Sequence, residues 1–128
     1  MNVQLMMFVG LGGAIGAMGR FAVMSAVGHV AHTGFPWGTL TVNVIGALVL
    51  GAVLELSALM WSPSPEVRAM VVVGGLGAFT TFSTFSMDLY YLIDRGYIVN
   101  AALYAMGSVF ICLVAFWAGM SLLRTILS

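Results

Sequence analysis

Five hydroxyl side chains, Thr80, Thr81, Ser83, Thr84 and Ser86, crowd into residues 80–86 of an otherwise apolar segment, and phenylalanine recurs at every third position, 79, 82 and 85. Three glycines, Gly74, Gly75 and Gly77, stand just before them. The glycines weaken helix propensity, so an interruption is expected from Gly77 to Thr80. An interrupted helix inside a membrane exposes carbonyls suited to a cation such as sodium, and N–H groups suited to an anion. Phenyl rings carry a positive edge, so two rings presented edge-on would favour a small anion. The plainer reading stands beside this one: the phenylalanines pack and the hydroxyls satisfy neighbouring helices.

Other polar groups within apolar segments are few, and each is a functional candidate because such groups are costly in lipid. Asn43 lies one helical turn from Thr39, so the two share a face. Its amide can replace part of an ion's hydration shell or make an interhelical hydrogen bond. Tyr104, Ser108 and Cys112 recur every four residues and form one stripe, rising about 6 Å from one to the next. The stripe reads as a polar track, although Ser108 could equally bond its own preceding turn. Arg20 either snorkels to the surface or lines an aqueous vestibule that attracts anions. Glu55 and Asp88 sit near segment ends, where pairing with an arginine is the simple expectation. Cys112 in its apolar run reads as a small buried hydrophobe. His29 and His32 fall in a predicted loop and are too few for a metal site.

The elements that must hold these groups follow from composition. The chain has 128 residues, 62% hydrophobic and 6% charged, with no lysine. Soluble domains carry about 25% charged residues, so this is a membrane chain. Four apolar segments, about 3–30, 37–61, 67–93 and 97–127, each reach the roughly 20 residues that a spanning helix needs. They form a single four-span, all-α membrane domain. Ser62-Pro63-Ser64-Pro65-Glu66 is a loop leading into a helix start, and Asp94-Arg95-Gly96 is a tight turn. Trp37, Trp61, Tyr90, Tyr91 and Tyr97 lie near the ends, as an interfacial belt would. The absence of a basic residue before the first apolar run argues against a cleaved signal peptide.

Charge gives no orientation. With four spans, Arg68 and Arg124 fall on one side, and Arg95 and Arg20 on the other. The positive-inside rule is therefore balanced, and either other signals decide or the chain inserts both ways as an antiparallel dimer. Small residues spaced by four suit close helix contact: Gly12 with Gly16, Gly13 with Ala17, Ala47 with Gly51, Gly74 with Ala78, and Ala115 with Gly119. They serve packing within the chain or between copies. A net charge of zero excludes a nucleic-acid footprint. No nucleophile–base pair and no phosphate-binding loop is present, so an enzyme is not expected.

Gly-Thr-Leu-Thr-Val-Asn at 38–43, Gly-Ala-Phe-Thr-Thr-Phe-Ser-Thr-Phe-Ser at 77–86 and the Gly16-to-Arg20 stretch resemble the small Fluc/CrcB fluoride channels, a likeness that covers the whole chain in length and motif order. The resemblance implies an antiparallel, dual-topology homodimer with two fluoride pores in a cell's inner membrane and a third helix broken near its middle. It implies that Asn43, Phe82 and Phe85 line the pore and that Tyr104 and Ser108 continue a polar track. It also implies a structural sodium ion (Na+) at the dimer centre, held by backbone carbonyls of Gly77 and Thr80 from both subunits, with Arg20 near the vestibule. The chain departs from the family's pattern at Ala78-Phe79, where Gly-Leu is frequent, and at Cys112 and Asp88.

The leading expectation is passive fluoride export. Fluoride enters cells as neutral HF, dissociates inside, and is driven out as the anion by the membrane potential. A small dual-topology multidrug/proton antiporter is the alternative, but it needs a membrane-embedded carboxylate, and the first span has none. A non-transporting subunit of a larger complex is the third.

Overall fold

The computed structural model describes residues 2–31 and 33–128. His32 lies outside them. The chain is helical throughout: α1 (Val3–Val30), α2 (Trp37–Leu59), α3 (Pro65–Arg68), a π-helical stretch (Ala69–Leu76), α4 (Gly77–Phe79), α5 (Phe82–Asp94) and α6 (Ile98–Leu127). α3, the π-helical stretch, α4 and α5 together make one crossing, Pro65–Asp94, so four helical units are long and apolar enough to cross a membrane.

Local chemistry sets the ends. Asn2 caps α1 by accepting the Gln4 N–H at 2.8 Å. Ser64 accepts the Val67 N–H with Pro65 in the first helical turn, a start read directly from the loop. Gly96 takes φ 84°, and Tyr97 N–H returns to the Leu92 carbonyl at 2.8 Å. That left-handed residue turns the chain sharply into α6. α1 continues through Val30, so His29 is helical and exposed rather than in the loop expected for it.

Two glycine seams hold the crossings together. Gly12 and Gly16 of α1 lie directly against the Met70 and Gly75 carbonyls, and Gly74 lies against the Val9 carbonyl. Gly51 of α2 lies against the Phe116 carbonyl, and Gly119 of α6 against the Leu48 carbonyl. α1 thus packs chiefly on the π-helical stretch, and α2 chiefly on α6. Backbones this close gain van der Waals contact, the main attraction between helices where lipid removes the hydrophobic drive. These glycines serve packing within the chain.

The interruption of the third crossing is displaced from its expected place. Gly74, Gly75 and Gly77 remain helical, and the backbone opens at Thr80 (φ −88°, ψ 162°) and Thr81 (φ −154°, ψ 116°). Gly74 is there for the approach to α1, where any side chain would strike the Val9 carbonyl. At the opening the crossing changes partners. The π-helical stretch and α4 lie on α1, whereas α5 packs on α6 and touches α2. Phe79 is separated from Phe82 and Phe85 in the same way: its ring lies beside Gly19 of α1, within 3.5 Å of where a Cβ would stand. The three phenylalanines therefore do not share a face.

Little apolar side chain is fully enclosed: Val42, Phe85, Leu92, Ala101 and Tyr104. The accessible surface is 7928 Å², against about 6,500 Å² for a compact soluble monomer of this mass. Large hydrophobic side chains are exposed along all four crossings, as suits lipid or another membrane helix. Glu55 is buried and accepts Arg124 through both carboxylate oxygens, at 2.9 and 3.3 Å. The Arg124 side chain remains 63% exposed, so the pair is partly hydrated at the membrane border.

The seams carry a signed prediction. Gly→Ala within a helix normally gains about 1 kcal/mol of propensity, but a Cβ at Gly51 or Gly119 meets backbone, and such overpacking costs about 1–3 kcal/mol. G51A and G119A should lower the thermal midpoint of the purified protein. G28A, whose Cβ meets nothing within 4 Å, should leave it equal or higher. Equal midpoints for all three would show that the seams are not tight.

Candidate functional site

A single side chain fixes the opening in the third crossing. The Thr81 N–H donates to Asn43 Oδ1 at 2.8 Å, and Asn43 Nδ2 donates to the Thr81 carbonyl at 3.2 Å. The amide thus takes the place of a backbone partner for the Thr81 N–H, which the interruption exposes within the membrane, and adds a second donor to the Thr81 carbonyl, the N-cap oxygen of α5. One N–H and part of the acceptor capacity of Asn43 are left over. Asn43 reaches Thr81 because Gly46, one turn further along α2, has no side chain. A Cβ there would strike Thr80 Cγ2.

The interruption also redirects donors. In a continuous helix the Thr81 N–H would bond the Gly77 carbonyl and the Thr84 N–H would bond the Thr80 carbonyl. Instead Thr81 N–H goes to Asn43, and Thr84 N–H goes to Thr81 Oγ1 at 3.1 Å. Gly77 and Thr80 both lose their usual helical partners, which leaves neutral carbonyl oxygens of the kind that hold a hard cation. No group of three or more His, Cys, Asp or Glu side chains gathers among the described residues, so a cation here would rest on backbone oxygen. Four of the five hydroxyls of the run are engaged locally. Thr80 Oγ1 donates to Leu76 O at 3.0 Å, Ser86 Oγ donates to Phe82 O at 3.0 Å, and Thr81 Oγ1 and Ser83 Oγ share a hydrogen bond at 3.2 Å.

Beside the opening lies a groove of about 430 Å³, open on one side. Asn43, Gly77, Thr80, Thr81, Phe82 and Phe85 line it, with Ser108 and Cys112 of α6 opposite and apolar side chains between. Among the described residues, no charged side chain forms part of its walls. Phe82 is 77% exposed, whereas Phe85 is buried against Tyr104. The two phenyl rings stand 5.4 Å apart at 42°, and Phe85 and Tyr104 5.0 Å apart at 47°. Ser108 is 7% exposed, and its Oγ has no hydrogen-bond partner among the described residues. It does not bond the preceding turn of α6. A buried hydroxyl without a partner costs about 1–3 kcal/mol, so a polar occupant of the groove would relieve it.

The groove unites Asn43, Phe82, Phe85, Ser108, Gly77 and Thr80 and leaves out two of the expected residues. Tyr104 is fully buried behind Phe85, and its hydroxyl donates to Asp88 Oδ2 at 2.9 Å. The stripe on α6 is therefore divided: Ser108 and Cys112 face the groove, and Tyr104 holds α5 to α6. Asp88 pairs with this tyrosine, and only Glu55 takes an arginine. Arg20 is half-buried on α1, makes no ion pair among the described residues, and is not a wall of the groove. Two residues are central to the geometry beyond what the sequence indicated: Thr81, which stood out only as one of five hydroxyls, and Gly46, which did not stand out. Thr81 could have been found as a cap, since it precedes the amphipathic run of α5. Gly46 could have been found by its position on the Asn43 face of α2.

The family described as "CrcB-like protein, Camphor Resistance (CrcB)" matches residues 7–120. Among curated relatives, the fluoride-specific ion channel FluC of Rhodospirillum centenum is 42% identical over 123 residues, covering 96% of this chain and 98% of the relative. The proteins of the same name from Hahella chejuensis and Nitrobacter winogradskyi are 41% and 42% identical over 127 and 126 residues, covering 99% and 98% of this chain and all of each relative. Four membrane-length helices, an opened third crossing held by Asn43, and full-length likeness to these proteins agree: this chain is a multi-pass membrane protein that belongs to the CrcB-like family.

Proposed function

We propose that the chain is the subunit of a fluoride-selective channel that lets fluoride leave the cell down its electrochemical gradient, and that the groove at the opening of the third crossing forms part of the ion path. The observation that carries this reading is the Asn43-pinned opening, set in a groove whose polar groups are all neutral. Fluoride is small and holds its water strongly. A path for it needs closely spaced neutral donors that replace that water without trapping the ion. The free N–H of Asn43, the Ser108 hydroxyl and the Phe82 and Phe85 rings supply such groups. The names of the relatives, fluoride-specific ion channels, support the same ion.

The finer architecture belongs to the same proposal. Two copies assemble antiparallel in a cell's inner membrane, with insertion in both orientations. The balanced arginines and the large apolar surface support this. A structural sodium ion rests at the centre of the pair on the Gly77 and Thr80 carbonyls of both copies. The diverted Thr81 and Thr84 N–H groups support it, because they leave those oxygens without helical donors. Arg20 attracts anions toward the path from a vestibule, and Tyr104 borders the track by positioning Phe85. The multidrug/proton antiporter is disfavoured because both candidate carboxylates are already engaged, Glu55 by Arg124 and Asp88 by Tyr104.

In liposomes loaded with potassium fluoride or chloride, the purified protein should release fluoride when valinomycin is added and hold back chloride. The rate should not change with an imposed proton gradient. Absence of fluoride release would reject the channel, and proton-dependent release would favour the antiporter. Ser108→Ala separates function from folding. It removes a hydroxyl that bonds nothing among the described residues, so stability should stay within about 0.5 kcal/mol or rise. Fluoride flux should nonetheless fall about tenfold or more, since hydrogen bonds to a charged group are worth about 1.5–3 kcal/mol. Unchanged flux would remove Ser108 from the path.

A further inference from the structure

A second pocket lies between the end of α2 and the start of the third crossing, away from the opening at Thr80 and Thr81, and encloses about 260 Å³. Val53 and Leu54 on one side and Val71 and Val72 on the other make its walls, and Trp61 and Arg68 stand among its lining residues. Ser57 adds no free polarity, because its hydroxyl donates to the Val53 carbonyl at 2.8 Å. Arg68 is exposed and makes no ion pair among the described residues, unlike Arg124, which Glu55 holds. Among the described residues, no carboxylate lines the pocket. The site therefore combines an apolar slot with one uncompensated cation. It sits beside the Ser62–Ser64 loop, where Trp61 marks the membrane border.

We propose that this pocket binds an anionic glycerophospholipid, with part of one acyl chain between the valines and leucine and the phosphodiester on the Arg68 guanidinium. A guanidinium pairs with phosphate through two parallel hydrogen bonds, and basic pockets between membrane helices suit such headgroups. The size selects the occupant. A pocket of about 260 Å³ is smaller than the roughly 300–1,000 Å³ that encloses a whole small molecule, but it accommodates a segment of a lipid whose remainder stays in the bilayer. The apolar walls select a lipid over a free phosphate compound. The inference does not depend on which ion the protein conducts.

The test is native mass spectrometry of the detergent-purified protein with phosphatidylglycerol, phosphatidylcholine or glycerol phosphate added. Phosphatidylglycerol should be retained about tenfold more than phosphatidylcholine, because the choline cation of the latter offsets the charge of its phosphodiester and is repelled by Arg68. R68Q should remove that preference and R68K should restore part of it. V53W, which fills the slot and leaves the charge, should reduce retention of phosphatidylglycerol. Equal retention of the two lipids, or an unaffected R68Q, would overturn the proposal. So would competition by glycerol phosphate, which would indicate a free phosphate ligand. A dimer weakened by R68Q with no lipid preference would give the face to a second copy instead and would also overturn it.

Discussion

Everything notable about this chain depends on one amide side chain doing the work of a backbone. A helix that opens within a membrane leaves N–H and carbonyl groups that lipid cannot satisfy, at several kcal/mol each. Asn43 supplies a donor and an acceptor to the same residue, Thr81. That pairing permits two extended residues at membrane depth. It also frees the carbonyls before the opening, sets the start of α5 and leaves a groove with unfilled hydrogen-bonding capacity at its wall.

The opening would be of no use in a loosely packed bundle. Glycines at 12, 16 and 74 bring α1 against the third crossing, and those at 51 and 119 bring α2 against α6. Each seam fixes one side of the opening. The part before Thr80 belongs with α1, and the part after Thr81 belongs with α6. Asn43 of α2 bridges the two parts. The Tyr104–Asp88 hydrogen bond and the Phe85 ring then hold α5 in place, so the groove residues from α2, α5 and α6 stay in register. Rigid support of this kind lets neutral donors face a small anion at fixed spacing.

Much of the fold was legible because lipid imposes a simple grammar of long apolar runs, breaks marked by proline and glycine, and aromatic ends. The unusual composition of residues 74–86 pointed correctly to an interrupted helix. Its place was misjudged because glycine has two uses in membrane helices, flexibility and close approach, and propensity reports only the first. Here Gly74 serves approach, and the interruption falls where a side chain from another helix can pair with the backbone. That depends on a contact between residues 38 positions apart, which local sequence does not display. Likewise the four-residue stripe on α6 placed Ser108 and Cys112 toward one groove, but not the ring of Phe85 that separates Tyr104 from it.

The claim that Asn43 holds the opening is tested most directly by hydrogen exchange at the Thr81 amide of the liposome-embedded protein, wild type beside N43A, with amides in the middle of α6 as the internal reference. The Thr81 amide should be protected in the wild type. In N43A it should exchange about tenfold faster or more, as loss of a hydrogen bond worth about 1.5 kcal/mol requires, while the α6 amides stay protected. Equal exchange at Thr81 in the two proteins would contradict the account.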